Sequence, residues 1–181
     1  MEELNFKPFP ILETGRLTLR NLNNKDAEKI MILRSDDRVN KFIDRPACVD
    51  IDDAKKFIEK IENGIAGNKS IYWVITLKDD DTLIGTICVW NISFENDMAE
   101  LGYELHPDFQ GKGMMQEAIT KVIDYCFRKM KVKTITALTH PDNMKSINIL
   151  LRNKFMHDED YELVSKEDAG ELLVYYLLNT V

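Results

Sequence analysis

The sequence has few cysteines, no long apolar run and no excess of positive charge. Its three cysteines, Cys48, Cys88 and Cys126, are too few and too scattered for a disulfide framework or a zinc site, so we expect reduced thiols and no bound metal. The apolar runs are of strand length, as at Ile71–Leu77, and far shorter than the roughly 18 residues of a membrane span. Lys and Arg number 24 against 31 Asp and Glu, which gives a net charge of −7 and argues against a nucleic-acid-binding protein.

The remaining composition is typical of one compact soluble domain that spans residues 1–181. Hydrophobic residues make up 44 % of the chain and charged residues 30 %, a balance too apolar for a disordered protein. Residues 1–5 are acidic and lack the basic and apolar layout of a signal peptide, so we expect a cytoplasmic protein. The negative charge is compatible with a cationic partner such as an amine.

The periodicity of apolar residues predicts a mixed α/β domain with the order β α α β β β α β α β β. Asn23 and Asp50 are typical N-caps of the first two helices, each with an aspartate three residues further on. Gly113 precedes a third helix and a fourth covers residues 143–153, so a strand–helix–strand crossover forms the second half. The predicted strands are residues 16–20, 71–77, 83–92, 98–105, 134–138, 155–164 and 172–178, with a turn over residues 78–82.

Two glycines one residue apart lie where the strand that ends at Leu105 leads into the third helix. Glycine lets the backbone approach a ligand closely, and the first N–H groups of a helix have no partner within the helix. Gly111 and Gly113 therefore indicate an anion site suited to a pyrophosphate, with a plain glycine turn as the alternative. Gln116 stands where a dinucleotide-binding motif has its third glycine, and the chain has no Gly-x-x-x-x-Gly-Lys-Ser/Thr loop.

The segment Gln110-Gly111-Lys112-Gly113-Met114-Met115 resembles the Gln/Arg-x-x-Gly-x-Gly/Ala acyl-CoA loop of the GNAT superfamily of acyl-CoA-dependent N-acyltransferases. Met115 stands in place of the last Gly/Ala of that pattern. Residues 12–20, 99–105 and 143–146 are similar to further segments of the RimJ/RimL branch, in the same order. The resemblance implies a mixed, twisted sheet of about seven strands flanked by about four helices. It also implies a splay between the fourth strand, residues 98–105, and the fifth, residues 134–138.

The resemblance further implies acetyl-CoA as a co-substrate in this splay. Its pyrophosphate would lie over the glycine loop, and its acetyl carbonyl would accept a backbone N–H from the end of the fourth strand. Asn143 would bind the pantetheine arm, with helix capping as the simpler role, and Ser146 would lie near the thioester sulfur. The residues that the resemblance assigns to acetyl-CoA are Tyr103, Leu105, Gln110, Gly111, Lys112, Gly113, Met114, Met115, Asn143 and Ser146.

Glu100 and Ser146 are the predicted catalytic residues. Transfer to an amine requires removal of its proton, and a carboxylate can serve as the general base. Glu100 matches the glutamate of the resembling branch, and the simpler alternative is a solvated strand glutamate, because alternation places Glu100, Gly102 and Glu104 on one face of the strand. Glu104 is the substitute if a bulge changes which residues face the splay. Ser146 carries a weakly acidic hydroxyl that orients toward the leaving thiolate or relays a proton to it. The tyrosine that many GNAT enzymes use as the acid is missing from its position, which is Leu150 here.

The sequence therefore predicts an N-acetyltransferase that acts directly on a primary amine, without a covalent enzyme intermediate. The acceptor is either a protein or peptide N-terminus or an amine-bearing small molecule, and a homodimer is compatible with the exposed edges of such a sheet. Two alternatives remain open: a catalytically idle acyl-CoA-binding or sensing module on the same fold, and a structural or protein-interaction domain. Neither nucleic acid nor membrane is expected as a partner.

Overall fold

The computed structural model describes residues 4–159 and 172–180 of the chain. Within them, eight strands are present: β1 Leu12–Glu13, β2 Leu17–Asn21, β3 Ile71–Leu77, β4 Asp80–Ser93, β5 Met98–Leu105, β6 Thr134–Thr139, β7 Met156–Asp158 and β8 Leu173–Leu178. The helices are α1 Ala27–Ser35, α2 Asp37–Asn40, α3 Ile51–Ala66, α4 Met114–Tyr125, which continues into a π-helical turn at Cys126–Met130, and α5 Met144–Arg152. In these ranges no helix has the length and apolar character needed to cross a membrane.

All eight strands form one sheet with the order β1-β2-β3-β4-β5-β6-β8-β7. Every neighbouring pair is antiparallel except β5 and β6, which are parallel and are connected through α4. A parallel pair requires a crossover connection, and a helix is the usual one. The strand–helix–strand crossover predicted for the second half of the chain is therefore present.

Side-chain caps lie at the two positions that the sequence predicts, Asn23 before the short 3-10 turn that leads into α1 and Asp50 at the start of α3. Asn23 Oδ1 accepts the Lys25 N–H at 3.1 Å in the turn that leads into α1, and Asp26 accepts the Asn23 N–H at 3.1 Å. Asp50 Oδ1 accepts two N–H groups of the first turn of α3, both at 2.9 Å. Because N–H groups at a helix start have no partner within the helix, these caps satisfy them.

Each face of the sheet has its own apolar core, so the sheet is a layer between two sets of helices. On one face, Trp73 of β3 is fully buried in a cluster with Ile119 of α4. On the other face, Val74 of β3 is fully buried with Ile30 of α1 and Ile58 of α3. Successive residues of β3 therefore enter opposite cores, which explains why this strand is a continuous apolar run.

The sheet opens between its two parallel strands. In the described ranges, β5 and β6 are paired over Met98–Glu100 and Thr134–Thr136 and not beyond. Further along, β5 stays paired with β4 as far as Leu105, and β6 stays paired with β8 as far as Thr139. The facing edges of β5 and β6 thus carry backbone groups that neither strand satisfies. This opening confirms the predicted splay, and we call it the cleft.

Some predicted element boundaries are wrong. The turn predicted over residues 78–82 is shorter, because Asp80 already pairs with Leu77 and begins β4. The described residues contain eight strands and five helices instead of about seven and four, because β1 and α2 are too short to show a periodic pattern. The strand predicted over residues 155–164 is seen at Met156–Asp158, and residues 160–164 lie outside the described ranges.

Candidate active site

A tight loop joins β5 to α4 at one end of the cleft. Gly111 and Gly113 have φ angles of 75° and 76°, a left-handed backbone that glycine adopts without the steric cost of a side chain. Gly113 is the N-cap of α4, which begins at Met114. The first-turn N–H groups of α4 therefore face the loop with no capping side chain from Gly113, and the helix dipole adds a partial positive charge there. This arrangement fits the predicted pyrophosphate site.

The other predicted loop residues surround this site in different ways. Lys112 is exposed, and its Nζ donates to the Asp108 carbonyl at 2.7 Å. Met114 is half-buried, whereas the Met115 side chain is buried in the core on the α4 side of the sheet. Because Met115 points into the core, its size does not crowd the backbone N–H groups. The departure from Gly/Ala at this position is therefore compatible with anion binding.

Arg16, in the segment before β2, and Glu117, in the first turn of α4, hold the glycine loop in place. Arg16 Nε lies 2.8 Å from Glu117 Oε2, the Arg16 N–H donates to Glu117 Oε1 at 2.8 Å, and Arg16 Nη1 donates to the Lys112 carbonyl at 3.0 Å. The Thr14 hydroxyl also donates to Glu117. Neither residue has a predicted role from the sequence, where the one signal was the similarity of residues 12–20 to the RimJ/RimL branch.

We expect Glu117→Gln to lower the melting temperature by about 3 °C near neutral pH, because the free energy of unfolding falls by about 1 kcal/mol. Burial opposes ionisation of Glu117, but the hydrogen bonds from Thr14 and Arg16 outweigh it and lower the pKa of the carboxyl. A lowered pKa contributes stability that is present above the unfolded pKa and is lost as the pH falls through the folded one. Thermal denaturation from neutral to acidic pH measures the difference, and a gap that does not narrow in acid would contradict this role.

Backbone groups of β5 face the cleft where β6 turns away. The Ala99 carbonyl accepts the Thr136 hydroxyl of β6 at 3.5 Å, so Ala99 faces the β6 side of the strand. Because backbone groups alternate in direction along a strand, Tyr103 and Leu105 face the same side, beyond the last paired residues. The Leu105 carbonyl accepts Gln110 Nε2 at 2.9 Å. The N–H groups of Tyr103 and Leu105 therefore point to the place where an acetyl carbonyl is expected.

The first turn of α5 lies across the cleft from β5. Side-chain contacts join this turn to β5 and to the loop that follows β5. The Tyr103 hydroxyl lies 2.9 Å from Ser146 Oγ, and Lys145 Nζ donates to Gln110 Oε1 at 3.0 Å. Asn143 is the N-cap of α5, and its Oδ1 accepts the Ser146 N–H at 3.2 Å. The capping role of Asn143 is therefore present. Neither Lys145 nor the Tyr103 side chain could be found from sequence, because both contacts join distant segments without a local pattern.

Glu100 lies on β5 beside a bulge of β4. Asn91 has a φ angle of 44° at this bulge, and its Nδ2 donates to Glu100 Oε2 at 2.8 Å. Burial raises the pKa of Glu100, although hydrogen bonds from Asn91 and Trp90 oppose that shift. A carboxylate with a raised pKa is a stronger base when ionised, because its affinity for a proton is higher. The surroundings of Glu100 therefore suit a general base.

Glu104 has different surroundings on the same face of β5. Its Oε2 lies 2.7 Å from Arg45 Nη2, and the two side chains are only 7 % and 13 % exposed. The pair is not aligned as a hydrogen bond, so the contact is the attraction of two largely buried opposite charges. Arg45 Nε also donates to Asn40 Oδ1 at 2.9 Å. Because Glu104 is held by Arg45, these contacts favour Glu100 over Glu104 as the base.

The cysteines do not offer a nucleophile. All three are free thiols, and burial raises the pKa of each. The pKa of Cys88 and of Cys126 reaches about 12, and for Cys88 the charges of Glu104 and Glu100 add to the effect of burial. Neither thiol is ionised near neutral pH, so neither is a reactive thiolate. Within residues 4–159 and 172–180, no three His, Cys, Asp or Glu side chains come together as metal ligands.

Known N-acetyltransferases match the chain over most of its length. The family described as the acetyltransferase (GNAT) domain matches residues 16–156. The uncharacterised N-acetyltransferase p20 of Bacillus licheniformis is 33 % identical over 172 residues, which cover 93 % of this chain and 94 % of that protein. The uncharacterised N-acetyltransferase YoaA of Bacillus subtilis is 33 % identical over 150 residues, which cover 83 % and 85 %.

Solved structures share the fold. RimL, a ribosomal L7/L12 alpha-N-protein acetyltransferase solved with coenzyme A, has a TM-score of 0.81 at 17 % identity, and 93 % of this chain and 98 % of that one are covered. The microcin C7 self-immunity acetyltransferase MccE, solved with acetyl-CoA and AMP, has a TM-score of 0.76 at 26 % identity, with 91 % and 93 % covered. The fold predicted from the sequence resemblance is confirmed, and the chain belongs to the GNAT acetyltransferase domain family.

Proposed function

We propose that the chain is an acetyl-CoA-dependent N-acetyltransferase that passes the acetyl group directly to a primary amine, with Glu100 as the general base. The observation that carries the proposal is the cleft between β5 and β6. The uncapped helix start at Gly113 lies at one end, free backbone N–H groups of β5 line its wall, and Glu100 lies further along the same strand. Family membership and the acetyl-CoA bound to MccE support acetyl-CoA as the co-substrate.

The task of Glu100 is to take the proton that the acceptor amine must lose. A peptide α-amino group has a pKa of about 8 and a lysine amine about 10.4, so each arrives largely protonated at neutral pH. Glu100 is half-buried, and this burial raises its pKa and thereby narrows the difference from the pKa of the amine. Asn91 Nδ2, at 2.8 Å from Glu100 Oε2, holds the carboxylate in one orientation.

Other groups of the chain would stabilise the negative charge that develops on the acetyl oxygen and on the leaving sulfur. The N–H groups of Tyr103 and Leu105 would donate to the acetyl oxygen as negative charge develops on it. Ser146 lies in the first turn of α5, where its hydroxyl would donate a hydrogen bond toward the leaving sulfur. No covalent link to the protein is required, since the amine attacks the thioester carbon itself.

The proposed reaction requires a primary amine as the acceptor and does not restrict the molecule that carries it. RimL is named for the α-amino group of a ribosomal protein, and MccE is named for immunity to a microcin. The name of RimL specifies a protein N-terminus and the name of MccE specifies no acceptor. We propose as the acceptor a primary amine, either of a protein or peptide N-terminus or of a small molecule. The net charge of −7 favours the approach of a cationic acceptor.

The test is acetyl-CoA turnover with a library of peptides and small amines, with products identified by mass spectrometry. Acetylated products are expected together with a higher melting temperature in the presence of CoA. Stabilisation by CoA without any turnover would instead identify a catalytically idle acyl-CoA-binding module. Absence of both effects would identify a structural or protein-interaction domain and overturn the proposal.

Asn143→Ala is expected to raise the KM for acetyl-CoA several-fold with little change in kcat. The reason is that Asn143 fixes the first turn of α5, which borders the cleft, and is proposed to contact the pantetheine arm. Loss of the cap also costs stability, about 1 kcal/mol. Asp50→Ala is the matched control, because it removes the cap of α3 on the far side of the sheet. An equal rise in KM in both variants would assign the effect to stability alone.

A further inference from the structure

The Tyr103 hydroxyl reaches the cleft but is neither the proposed base nor one of the groups proposed to stabilise charge. Its ring packs against the core on the α4 side of the sheet, and the hydroxyl lies 2.9 Å from Ser146 Oγ. Burial raises the pKa of Tyr103 to about 12, although the hydrogen bond with Ser146 opposes the shift. A free thiol has a pKa of about 8.5, so Tyr103 would keep its proton in the presence of a thiolate. Tyr103 is therefore not the acid of the reaction.

We propose that Tyr103 is a positioning residue that directs the Ser146 hydroxyl toward the leaving sulfur of acetyl-CoA. This inference rests on the proposed function. Of the two hydroxyls, the phenol is the stronger acid and the better donor, and the serine oxygen is the better acceptor. When Tyr103 donates to Ser146 Oγ, the single hydrogen of Ser146 must point away from Tyr103 and is available to the cleft.

The position of Ser146 in the helix explains why it needs such a partner. A serine near a helix start can turn its hydroxyl to a neighbouring backbone group, and it is then no longer available to a ligand. The backbone of Ser146 is fixed by Asn143 Oδ1, which accepts its N–H at 3.2 Å. The Tyr103 hydroxyl then fixes the side chain, from a strand on the opposite side of the cleft. Ser146 is thus held at two points that belong to different elements.

No proton is consumed from either hydroxyl in this scheme. The amine nitrogen forms the new bond to the acetyl carbon, the carbon–sulfur bond breaks, and its electron pair goes to sulfur. The acceptor arrives as an ammonium and loses two protons: the first passes to Glu100, directly or through water, before the attack, and the second passes to solvent once the new bond has formed. The CoA thiolate takes one proton from solvent and Glu100 returns its proton to solvent, so one proton is released per turnover. Ser146 lends a hydrogen bond to the developing thiolate and Tyr103 orients it, so both side chains are unchanged after each turnover.

The first test measures the pKa of the thiol of bound CoA. The thiolate is monitored by its ultraviolet absorbance, at pH values below those at which tyrosines ionise. We expect this pKa to lie below that of free CoA in the wild-type complex, and to return toward the free value in Tyr103→Phe and in Ser146→Ala. Tyr125→Phe is the control, because Tyr125 is a tyrosine of similarly raised pKa that packs edge-on against Trp73, with ring centroids 5.5 Å apart.

This measurement needs neither an acceptor nor turnover, so it is independent of whether the amine has been identified. A wild-type thiol pKa equal to that of free CoA, or no response to Tyr103→Phe in a folded protein, would overturn the inference while leaving the proposed transferase intact. Ser146→Ala carries the test if Tyr103→Phe does not fold. Failure of the wild-type protein to bind CoA would overturn both proposals together.

The second test is kinetic. Tyr103→Phe should lower kcat by about tenfold, the value of one hydrogen bond, with the KM for acetyl-CoA unchanged. In a Ser146→Ala background the same substitution should have no further effect, because there is no hydroxyl left to orient. An equal loss in both backgrounds, or a higher KM with unchanged kcat, would contradict the positioning role.

Discussion

Glu100→Gln is expected to lower kcat by roughly 10²–10⁴-fold and to leave the affinity for acetyl-CoA nearly unchanged. Glutamine keeps the shape of the side chain and can still accept the hydrogen bond from Asn91, which spans 2.8 Å in the native protein. It has no basic oxygen for the amine proton, so only the proton transfer is lost. Steady-state kinetics with an acetylated amine, together with calorimetric titration of acetyl-CoA, separate the two quantities.

The effect of Glu100→Gln on kcat should depend on pH. The loss should shrink as the pH rises, because a larger share of the amine then arrives without its proton. Since burial raises the pKa of Glu100, the acid limb of the wild-type kcat/KM profile should lie above the ordinary glutamate value of about 4.3. A Glu100→Gln profile with the same acid limb as the wild type would show that another group is the base.

The same substitution should not destabilise the protein. A raised folded pKa contributes stability below the unfolded pKa, and this contribution is lost as the pH rises through the folded one. At neutral pH the ionised Glu100 is therefore a cost to the fold, which Glu100→Gln removes. We expect a melting temperature at or above that of the wild type, so a lower rate cannot be attributed to unfolding.

Glu104→Gln is the matched control on the same face of β5. We expect a rate within a few-fold of the wild type but a lower melting temperature, because Arg45 would lose its partner while largely buried. If Glu104→Gln shows the large, pH-dependent loss and Glu100→Gln does not, the base is Glu104. Near-wild-type rates in both would mean that solvent deprotonates the amine, an outcome that favours an α-amino acceptor over a lysine-like one.

Gly113→Asp is expected to weaken acetyl-CoA binding at least tenfold, which corresponds to about 1.4 kcal/mol. The substitution puts a negative charge at the start of α4, where the helix dipole and the first N–H groups are expected to hold the pyrophosphate. It also puts a side chain on a backbone with a φ angle of 76°. Calorimetric titration with CoA measures the loss.

Gly113→Asn separates charge from shape. Asparagine has nearly the size of aspartate and tolerates the left-handed backbone to a similar degree, but it carries no charge. Both variants place a β-carbon 3.5 Å from Arg16 Nη2, so the local crowding is the same. We expect the asparagine variant to bind CoA more tightly than the aspartate variant. If both fold by circular dichroism and both bind CoA like the wild type, the pyrophosphate is not at this loop.

The sequence was sufficient for the features that depend on neighbouring residues. The N-caps Asn23 and Asp50, the apolar strand Ile71–Leu77 and the glycine loop before α4 are all local patterns, and the structure contains each of them. The two-residue strand β1 and the four-residue helix α2 were not predicted, because such short elements are set by their neighbours in space. Local pattern therefore predicted the long elements and the glycine loop at the start of α4, whereas anion binding at that loop stays a prediction.

The features that depend on distant residues required the structure. Alternation placed Glu100 and Glu104 on one face but could not distinguish them, because the difference is the Arg45 side chain from a loop some sixty residues away in sequence order from Glu104. The contact of Tyr103 with Ser146 joins β5 to α5 across the cleft in the same way. The proposed base and the proposed orientation of Ser146 both rest on contacts between distant segments, which no local spacing encodes.

The Arg45–Glu104 ion pair has an evolutionary consequence. Glu100 and Glu104 lie on one face of β5, which suggests that a lineage that lost Glu100 could use Glu104 as the general base instead. Recruitment would require the loss of Arg45 as well, and that change alone leaves a largely buried carboxylate without its partner. With Glu100 as the proposed base, loss of Glu100 first is expected to remove activity and loss of Arg45 first to lower stability, so gradual exchange of one glutamate for the other is disfavoured in either order. On that proposal, we expect descendants of this chain to retain Glu100 or lose activity, and Arg45 and Glu104 to change together.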